Sequence, residues 1–406
     1  MRLSDRDTAM LGGEFGEAVR IALELVVAAG EAMGAGELLD ISGAHIDGCL
    51  YHGVAGLDFA KVLADAGGEV AVPTTLNVSS LDLLHPDLYR GDAETALRAR
   101  ELMTAYEQMG CRATWTCAPY QLSDRPGRGD QVAWGESNAI VFANSVLGAR
   151  TNRYGDFLDI CCALTGRAPA VDLHTDEGRR AAIALDVAVP ESWLDEDLFY
   201  VALGMVLGRV AGTRVATIGG LDERADEDRL KALGATAASS GAVAMFHVEG
   251  VTPESETLGA GPGMRRVRVD TAMISAALHE LSSPNGPLGA VSVGTPHASE
   301  SELLTLADLV RGRRSLVPFY VNAGRDTVAR ARSAVDEIEA FGASVVTDTC
   351  TYITPIIGDV DGVVMTNSGK WAYYAPSNLG VDVALGSMVD CVESAVAGEV
   401  VVGSLR

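Results

Sequence analysis

The sequence predicts an α/β protein built on largely parallel sheets, and three observations support that prediction. Predicted strands and helices alternate along the chain, as they do in βαβ units. The composition is 48% hydrophobic, which is typical of a well-buried globular chain. The 406 residues are too many for one compact core, so we expect about two or three units of ordinary domain size.

Hydrophobic spacing places the elements in order. Apolar residues recur at helical spacing between residues 15 and 26. From there the pattern predicts strands at 38–42, 70–73 and 112–116 and helices at 57–66 and 93–109. The later part predicts helices at 222–234, 301–312, 326–341 and 387–397 and strands at 242–247, 315–321, 343–348 and 399–402. Because ligands bind beyond the carboxyl ends of such strands, we expect function in the loops that follow them.

Composition limits the classes of function. A formal charge of −24 argues against nucleic acid as a partner, because binding to phosphates needs a basic face and the sequence shows none. The amino terminus has no apolar leader, and no apolar segment is long enough to span a bilayer, so we expect a cytoplasmic protein without a membrane partner. Seven cysteines, odd in number and widely spread, favour free thiols or metal ligands over a disulfide framework.

The stretch GAHIDGCLYHG, residues 43–53, places two histidines, an aspartate and a cysteine just beyond a predicted strand. These residue types suit metal chemistry, but no Cys-x-x-Cys or His-x-x-x-His spacing supports a metal site. A metal or catalytic site and an ordinary polar turn both stay open. Similar polar loops follow other predicted strands, at 74–80, 116–120, 294–297, 347–351 and 366–370.

Two cysteines lie in similar positions. Cys117 and Cys350 each follow a predicted strand and precede a proline-containing turn. A thiolate held at such a turn can be an iron–sulfur ligand. Cysteine is also a common small buried residue, so packing is the alternative for each of them.

The remaining candidates have equally plain alternatives. Glu136 and Ser137 begin a predicted helix, where they could cap the helix, act on a ligand or do both. Lys370 follows a Ser-Gly turn and could neutralise a substrate anion or be a solvated surface group. His297 could stand at a helix start, with Ser299 as the cap. The chain has no GxSxG, HExxH or Rossmann fingerprint, which disfavours the common hydrolases and dehydrogenases.

Together these motifs resemble aconitase X, a divergent branch of the aconitase superfamily of hydro-lyases. The most specific matches are the run AWGESNAIVFANSVLGARTNR and the segment TNSGK, and the resemblance extends over nearly the whole chain. Further matches are LGGEFGEAV, AHIDGCLYHG, VPTTLN, TCAPY, GTPHAS and DTC. The resemblance implies an aconitase-like multi-domain α/β/α architecture. We divide it into an N-terminal α/β region at 1–170 and further α/β domains at 171–406 that complete the catalytic cleft.

The resemblance also implies roles for individual residues. Cys117 and Cys350 would be iron–sulfur ligands, and the catalytic residues would be Glu136, Ser137 and Lys370. The residues implied around the substrate are Gly48, Cys49, Leu50, Asn77, Val78, Glu136, Ser137 and Lys370.

The third ligand departs from the archaeal pattern of the family. Archaeal members, which are similar to mevalonate 5-phosphate dehydratases, have a cysteine before the Pro-His pair, where this chain has Thr295. Threonine is not a plausible iron–sulfur ligand. We therefore predict Cys49 as the third metal ligand, in a [2Fe-2S] or [4Fe-4S] cluster.

The segments HIDGC and GTPH resemble the bacterial branch of the family, which implies dehydration of cis-3-hydroxy-L-proline to Δ1-pyrroline-2-carboxylate. Mevalonate 5-phosphate or another small 3-hydroxy acid is the alternative substrate, and Leu50 and Thr295 disfavour the phosphomevalonate type. A non-catalytic, iron-binding regulatory relative is the alternative from another class. Retention of Glu136, Ser137 and Lys370 argues against a dead enzyme.

In the family, the base is thought to be a serine on a small swivelling domain. The sequence ends at Arg406, soon after the strand predicted at 399–402. We therefore expect that domain to be absent from this chain and to be supplied by a small partner subunit that carries the catalytic serine.

Overall fold

The computed structural model describes residues 1–259, 263–282, 286–358, 360–403 and 405. Within these residues the strands form three parallel sheets and one antiparallel pair, with helices between most successive strands. The prediction of an α/β fold with largely parallel sheets is confirmed.

The first region has a three-stranded parallel sheet and the antiparallel pair. Its elements, in chain order, are α1 (Asp5–Leu11), α2 (Glu17–Ala32), β1 (Leu38–Asp40), β2 (Gly43–Ile46), α3 (Val54–Asp65), β3 (Thr74–Leu76), α4 (Ala93–Gln108), β4 (Val132–Trp134), α5 (Ser137–Phe142), α6 (Leu158–Thr165) and β5 (Arg167–Pro169). The parallel sheet has the order β3-β2-β4, and β1 pairs with β5. A π-helical turn, Ala143–Leu147, continues α5.

The second region is a four-stranded parallel sheet. Its elements are β6 (Ile183–Ala188), α7 (Asp197–Ala211), β7 (Ala216–Gly219), α8 (Glu227–Gly241), β8 (Phe246–Val248), α9 (Ser255–Leu258), β9 (Arg265–Asp270) and α10 (Thr271–Glu280). The strand order is β8-β7-β6-β9. Helix α7 is apolar on nearly every face and is almost wholly buried, as expected of a helix enclosed by protein on all sides.

The third region is a five-stranded parallel sheet. Its elements are β10 (Leu288–Ala298), α11 (Glu300–Val310), β11 (Phe319–Ala323), α12 (Arg325–Arg330), α13 (Arg332–Ala340), β12 (Ala343–Val346), β13 (Val363–Thr366), α14 (Gly369–Leu379), β14 (Asp382–Leu385) and α15 (Met388–Ala397). The order β12-β11-β10-β13-β14 places β10 at the centre of the sheet.

Two predicted strands near the site are displaced or interrupted. The strand predicted at 70–73 begins later, at Thr74. The segment predicted as a strand at 112–116 runs beside β3, with the amide of Arg112 bonded to the Thr74 carbonyl at 2.8 Å. The amide of Leu76 donates to the Thr114 hydroxyl instead of to a backbone carbonyl. Trp115 has a φ of 44°, outside the range of a strand, so the regular pairing of backbone groups ends here.

Two predictions near the carboxyl end also differ from the structure. The helix predicted at 326–341 is divided into α12 and α13 at Ala331, which leaves the helical conformation. The strand predicted at 399–402 does not form, because Ser394 bonds both the amide and the carbonyl of Val401. Among the described residues, no helix has both the length and the apolar character needed to cross a membrane.

Candidate active site

The ends of three neighbouring strands bring the amino-terminal candidates together. Strands β3, β2 and β4 are parallel neighbours, so the loops after them leave the sheet at the same edge. The amide of Asn77 bonds the Ile46 carbonyl, and the amide of Gly135 bonds the His45 carbonyl, each at 2.9 Å. The sequence placed GAHIDGCLYHG beyond a strand, but its first four residues are themselves strand β2, and the rest form the loop at the end of that strand.

The loop after β2 is held by a buried carboxylate. Asp159 accepts hydrogen bonds from the amides of Asp47 at 2.7 Å and Gly48 at 3.4 Å. A Cβ atom at Gly48 would overlap the carbonyl oxygen of Asp156 and lie 2.8 Å from the Tyr106 hydroxyl. Only glycine fits this close approach, which explains the residue type at position 48.

Glu136 is both a helix cap and the centre of a polar cluster. It is the N-cap of α5, where Oε1 accepts hydrogen bonds from the amide of Asn138 and from the Ser137 hydroxyl, both at 3.1 Å. Lys370, at the start of α14, donates to the same oxygen from 2.7 Å. Asn77 donates to Oε2 from 2.9 Å. The structure thus brings together Glu136, Ser137, Lys370 and Asn77, and their roles toward a substrate stay a prediction.

The Glu136–Lys370 pair carries both charges. Burial alone raises the pKa of Glu136, but the Lys370 ammonium and the hydrogen bonds lower it to about 2. Burial alone lowers the pKa of Lys370, yet the Glu136 carboxylate and the nearby Tyr352 hold it well above its usual value. The ammonium also lies 5.8 Å from the centre of the Tyr352 ring. A fixed positive charge therefore faces the site near neutral pH.

Asn77 links two carboxylates through one amide nitrogen. Its Nδ2 donates to Glu136 and, by a short hydrogen bond, to Asp47 Oδ1. Burial, together with the charges of Glu136 and Asp156, raises the pKa of Asp47 well above its usual value. Behind this pair, the imidazole of His45 is buried, and burial lowers the pKa of His45 to about 4. This histidine is neutral at physiological pH.

The two cysteines on similar turns meet in the structure. Their Sγ atoms lie 3.9 Å apart, and the His297 amide donates to the Cys117 sulfur from 3.3 Å. Burial raises the pKa of Cys117, but the hydrogen bond with Cys350 and the nearby His297 lower it to about 6. The hydrogen bond with Cys117 and, as the second cause, burial raise the pKa of Cys350 well above its usual value. The pair thus holds one thiolate near neutral pH.

His297 completes the group. The possible metal-ligand atoms of Cys117, His297 and Cys350 all lie within 4.8 Å of one another, and all three residues are buried. No other group of three or more His, Cys, Asp or Glu residues in the described part of the chain is arranged to hold a metal ion. The imidazole Nδ1 lies 3.0 Å from the Thr116 hydroxyl, and Nε2 lies 3.2 Å from the Thr349 carbonyl. The expected cap of α11 is also present, because Ser299 forms a capping box with its N3 residue. The sequence offered only the position of this histidine at a strand end as a signal.

Cys49 lies in the same loop but outside this group. Its thiol is buried and contacts the carbonyl oxygens of Ile46 at 3.4 Å, Asn77 at 3.3 Å and Val78 at 3.7 Å. Burial and the nearby Asp47 raise the pKa of Cys49 well above its usual value, which favours the protonated thiol. The role of Cys49 as a third ligand stays a prediction. Leu50 and Val78, at the two other predicted substrate positions, are buried as well.

A small cavity of about 30 Å³ lies against Lys370. Its wall includes a second buried lysine, Lys231, which is ion-paired with Asp228 at 3.0 Å and with Glu302. Thr295 also lines it, and its hydroxyl has no hydrogen-bond partner among the described residues. The residue at the position of the archaeal cysteine therefore lies on the cavity wall beside Lys370.

Comparisons with known proteins agree with this geometry. Models of three aconitase X domains match the chain, the first at residues 1–177, the second at 181–279 and the third at 288–397. The chain belongs to the aconitase X family. A crystal structure of aconitase X from Thermococcus kodakaraensis in its holo-form is similar with a TM-score of 0.89 at 32% identity, over 97% of this chain and all of that one.

Two relatives represent the two types that the sequence suggested. The cis-3-hydroxy-L-proline dehydratase of Pseudomonas aeruginosa is 44% identical over 98% of this chain and 70% of its own length. The phosphomevalonate dehydratase large subunit of Methanothermobacter thermautotrophicus is 37% identical over 94% of this chain and 95% of its own length. Both are dehydratases, and the prediction that this aconitase X chain is a hydro-lyase is confirmed.

Proposed function

We propose that this aconitase X chain catalyses the dehydration of cis-3-hydroxy-L-proline to Δ1-pyrroline-2-carboxylate. The observation that carries the proposal is the charged Glu136–Lys370 pair, joined through Asn77 to the loop after β2. The P. aeruginosa dehydratase, at 44% identity, supports this substrate over phosphomevalonate, whose dehydratase large subunit is 37% identical. Loss of the C2 proton and of hydroxide from C3 gives an enamine, which tautomerises to the product.

The polar residues of the site have separate roles in this reaction. The fixed charge of Lys370 holds the substrate carboxylate, which stabilises the negative charge that develops when the C2 proton leaves. Glu136 has a pKa of about 2 and is therefore a weak base near neutral pH. It serves better as an acceptor that orients the substrate hydroxyl and Lys370. Ser137 and Asn77 donate to Glu136 and fix its carboxylate plane.

The cysteine group suits the iron–sulfur centre expected of the family. Two buried thiols 3.9 Å apart, one with a pKa of about 6, supply two of the ligands that such a centre requires. Cys117 and Cys350 would hold a [2Fe-2S] or [4Fe-4S] cluster, with Cys49 or His297 as the third ligand. When bound, the cluster supplies a Lewis acid that assists departure of the hydroxyl group.

A small subunit with a swivelling domain is part of the proposed enzyme and carries the serine base. The chain aligns with 95% of a protein named as a large subunit, and with 70% of the longer P. aeruginosa dehydratase. Both alignments support a division of the enzyme into a large chain and a smaller domain.

Co-expression of this chain with the small subunit, followed by anaerobic purification, tests the proposal. We expect conversion of cis-3-hydroxy-L-proline to an imine, which borohydride traps as proline for mass spectrometry. Lys370→Met should lower kcat/KM by about 100-fold or more, because the carboxylate loses its counter-charge. Lys61→Met, a change at a partly exposed lysine, is the matched control. Turnover of phosphomevalonate alone would reject the assigned substrate.

A further inference from the structure

Another pocket, of about 460 Å³, lies at the junction of the first and second regions. Strands β6, β7 and β8 begin directly after Ala182, Val215 and Met245, and these three residues line the pocket. The pocket therefore lies at the amino edge of the second sheet, whereas the candidate active site uses the carboxyl ends of strands. Its volume is within the range of roughly 300 to 1,000 Å³ that is usual for small-molecule sites.

The deepest part of this pocket is apolar. Leu173, Val215 and Met245 form a small hydrophobic cluster of their own, and each is more than nine-tenths buried. The backbone of Leu173 is fixed by two hydrogen bonds: its amide donates to the Asn152 side chain at 2.9 Å, and its carbonyl accepts from Arg179 at 3.0 Å. Residues of both regions thus hold a preformed apolar floor.

Three exposed arginines, Arg153, Arg180 and Arg214, line the same pocket. Among the described residues, the side chains of Arg153 and Arg180 form no hydrogen bond and no ion pair within 4.0 Å. Arg214 is fixed at the end of α7, where it donates to the carbonyl oxygens of Ala211 at 3.1 Å and Val210 at 2.8 Å. All three guanidinium groups keep donors for a further partner, since each has five N–H groups.

The carboxylates nearby are paired with other arginines. Asp176 is ion-paired with Arg150, and Glu254 is ion-paired with both Arg150 and Arg179. Asp172 is the one carboxylate in the described lining of the pocket, against three arginines. In a chain with a formal charge of −24, this pocket therefore offers an excess of positive charge to an anion.

We propose that this pocket binds a small organic anion with an apolar body. The arginines receive the anionic group through charge-assisted hydrogen bonds, and the floor of Leu173, Val215 and Met245 covers the apolar part. Because residues of both regions line the pocket, the bound anion stabilises their junction. The site is separate from the proposed reaction and does not depend on it.

Fluorescence titration of the anaerobically purified holoenzyme with 1-anilinonaphthalene-8-sulfonate tests the proposal, because this probe joins an apolar ring system to a sulfonate. We expect one saturable site per chain. The double change Arg153→Gln and Arg180→Gln should weaken binding by about tenfold or more, since it removes two charged donors. The neutral probe N-phenyl-1-naphthylamine should bind the unmodified enzyme and this variant equally.

The matched control moves the same loss of charge to another surface. Arg265→Gln with Arg268→Gln changes two exposed arginines of β9 and should leave the Kd for the sulfonate probe within about twofold. Thermal melting followed by circular dichroism should show that the probe raises the Tm of the unmodified enzyme and of this control, and not of the Arg153 and Arg180 variant.

Three results would overturn the proposal. The unmodified enzyme could show no saturable site. The two double variants could bind the sulfonate probe equally, which would mean that overall charge and not this pocket attracts it. Binding could also weaken as the protein concentration rises, which would mean that a second copy of the chain covers the pocket. Circular dichroism without the probe shows that each variant is folded.

Discussion

Single residues at this site owe their chemistry to neighbours from other strand ends. Glu136 keeps its negative charge in a buried position because Lys370, more than 200 residues away in sequence, donates to it from 2.7 Å. The pKa of Cys117 is lowered to about 6 because the Cys350 thiol, with its Sγ 3.9 Å away, forms a hydrogen bond with it. The charge state of such a residue depends on its partner, so a substitution of one member of the pair also changes the pKa of the other.

Cys117 gives the first prediction at this scale. Cys117→Ser should lose most of the iron and acid-labile sulfide bound per chain, because a buried serine cannot replace a thiolate ligand. Cys391→Ser is the matched control, since this cysteine is equally buried but lies in α15. Iron and sulfide analysis of anaerobic preparations measures both. Full iron content in Cys117→Ser would contradict the assigned ligand.

The third ligand is tested in the same way. If Cys49 ligates the cluster, Cys49→Ser should lower iron and sulfide as far as Cys117→Ser does. If His297 does so, His297→Ala should have that effect and Cys49→Ser should not. The geometry favours the second result, because the described structure groups His297, and not Cys49, with the two thiols. An unchanged cluster in both variants would exclude both residues.

His174 gives a prediction of pH dependence. Its Nε2 lies 2.6 Å from the Tyr154 hydroxyl and its Nδ1 lies 2.6 Å from the Gln131 side-chain oxygen, contacts that suit a neutral ring. Burial, then Arg179 and Arg150, lower the pKa of His174 from 6.5 to about 4. Because the folded pKa is the lower one, the associated stability is present above pH 6.5 and is lost as the pH falls toward 4.

We expect the free energy of unfolding to fall by about 3 kcal/mol over that interval from this group. Chemical denaturation at a series of pH values measures the slope. His174→Gln should make the slope shallower and leave the part that His45 contributes, whereas His279→Gln, at an exposed histidine, should leave it unchanged. An identical slope in His174→Gln would show that other groups control acid unfolding.

At the scale of elements, the site depends on short strands with closely packed loops. Strand β2 has only four residues, and the loop after it is fixed by Asp159 from α6 and by the close approach at Gly48. Helix α5 begins at the same edge, with Glu136 as its cap. The secondary structure and the polar cluster therefore use the same hydrogen bonds.

Gly48→Ala should impair activity far more than an ordinary glycine substitution. The added methyl group would overlap the Asp156 carbonyl and crowd Tyr106, so the loop after β2 must move. We expect a loss of about 1 to 3 kcal/mol in stability together with loss of turnover. Gly56→Ala in α3 meets no atom within 4 Å and should stabilise the protein by about 0.5 to 1 kcal/mol. Thermal melting and activity assays compare the two, and equal behaviour would contradict the packing argument.

Helices and strands with a clear hydrophobic period could be predicted from the sequence. Segments whose backbone is held by side-chain hydrogen bonds could not. Helix α4 begins at Ala93 as its pattern predicts, because Asp92 caps it and its apolar face is regular. The segment at 112–116 has strand-like residues, yet the Thr114 hydroxyl replaces a backbone partner and ends the pairing. Whether a side chain replaces a backbone hydrogen-bond partner depends on tertiary structure, and it leaves no periodic pattern in the sequence.

The site itself was predictable only in part, for the same reason. Spacing within GAHIDGCLYHG left a metal site and a polar turn both open. Glu136 and Lys370 were candidates from their positions at a helix entry and after a Ser-Gly turn, but only the resemblance assigned them to one site. The distance between Cys117 and Cys350 depends on how the third sheet meets the first, which local sequence does not encode. His297 had an adequate explanation as a residue before a helix, so its contact with the thiols was missed.

At the scale of the whole molecule, a buried arginine joins the first and second regions. Arg179 is fully buried, and it bonds the side chain and carbonyl of Asn144, both at 2.9 Å. It is also ion-paired with Glu254, which is buried as well. Because Asn144 lies in the π-helical turn that continues α5, this network links the position of the second region to the active-site helix.

Arg179→Met should therefore destabilise the molecule by about 3 to 5 kcal/mol, since it leaves Glu254 buried without its main partner. Arg180→Met, at the next residue, removes an exposed charge and should change stability by less than about 0.5 kcal/mol. Differential scanning fluorimetry of the two variants measures the contrast. Similar melting temperatures would mean that Arg179 contributes little to the junction.

The cavity wall described above has a practical consequence for covalent labelling. The chain has only three lysines, Lys61, Lys231 and Lys370, and the last two are buried beside the proposed substrate carboxylate site. The Lys61 side chain is 43% exposed, so an amine-selective acylating reagent marks Lys61 first in the folded protein. Peptide mapping of acyl adducts at Lys370 would then report when the cavity opens, with no engineered probe in the chain.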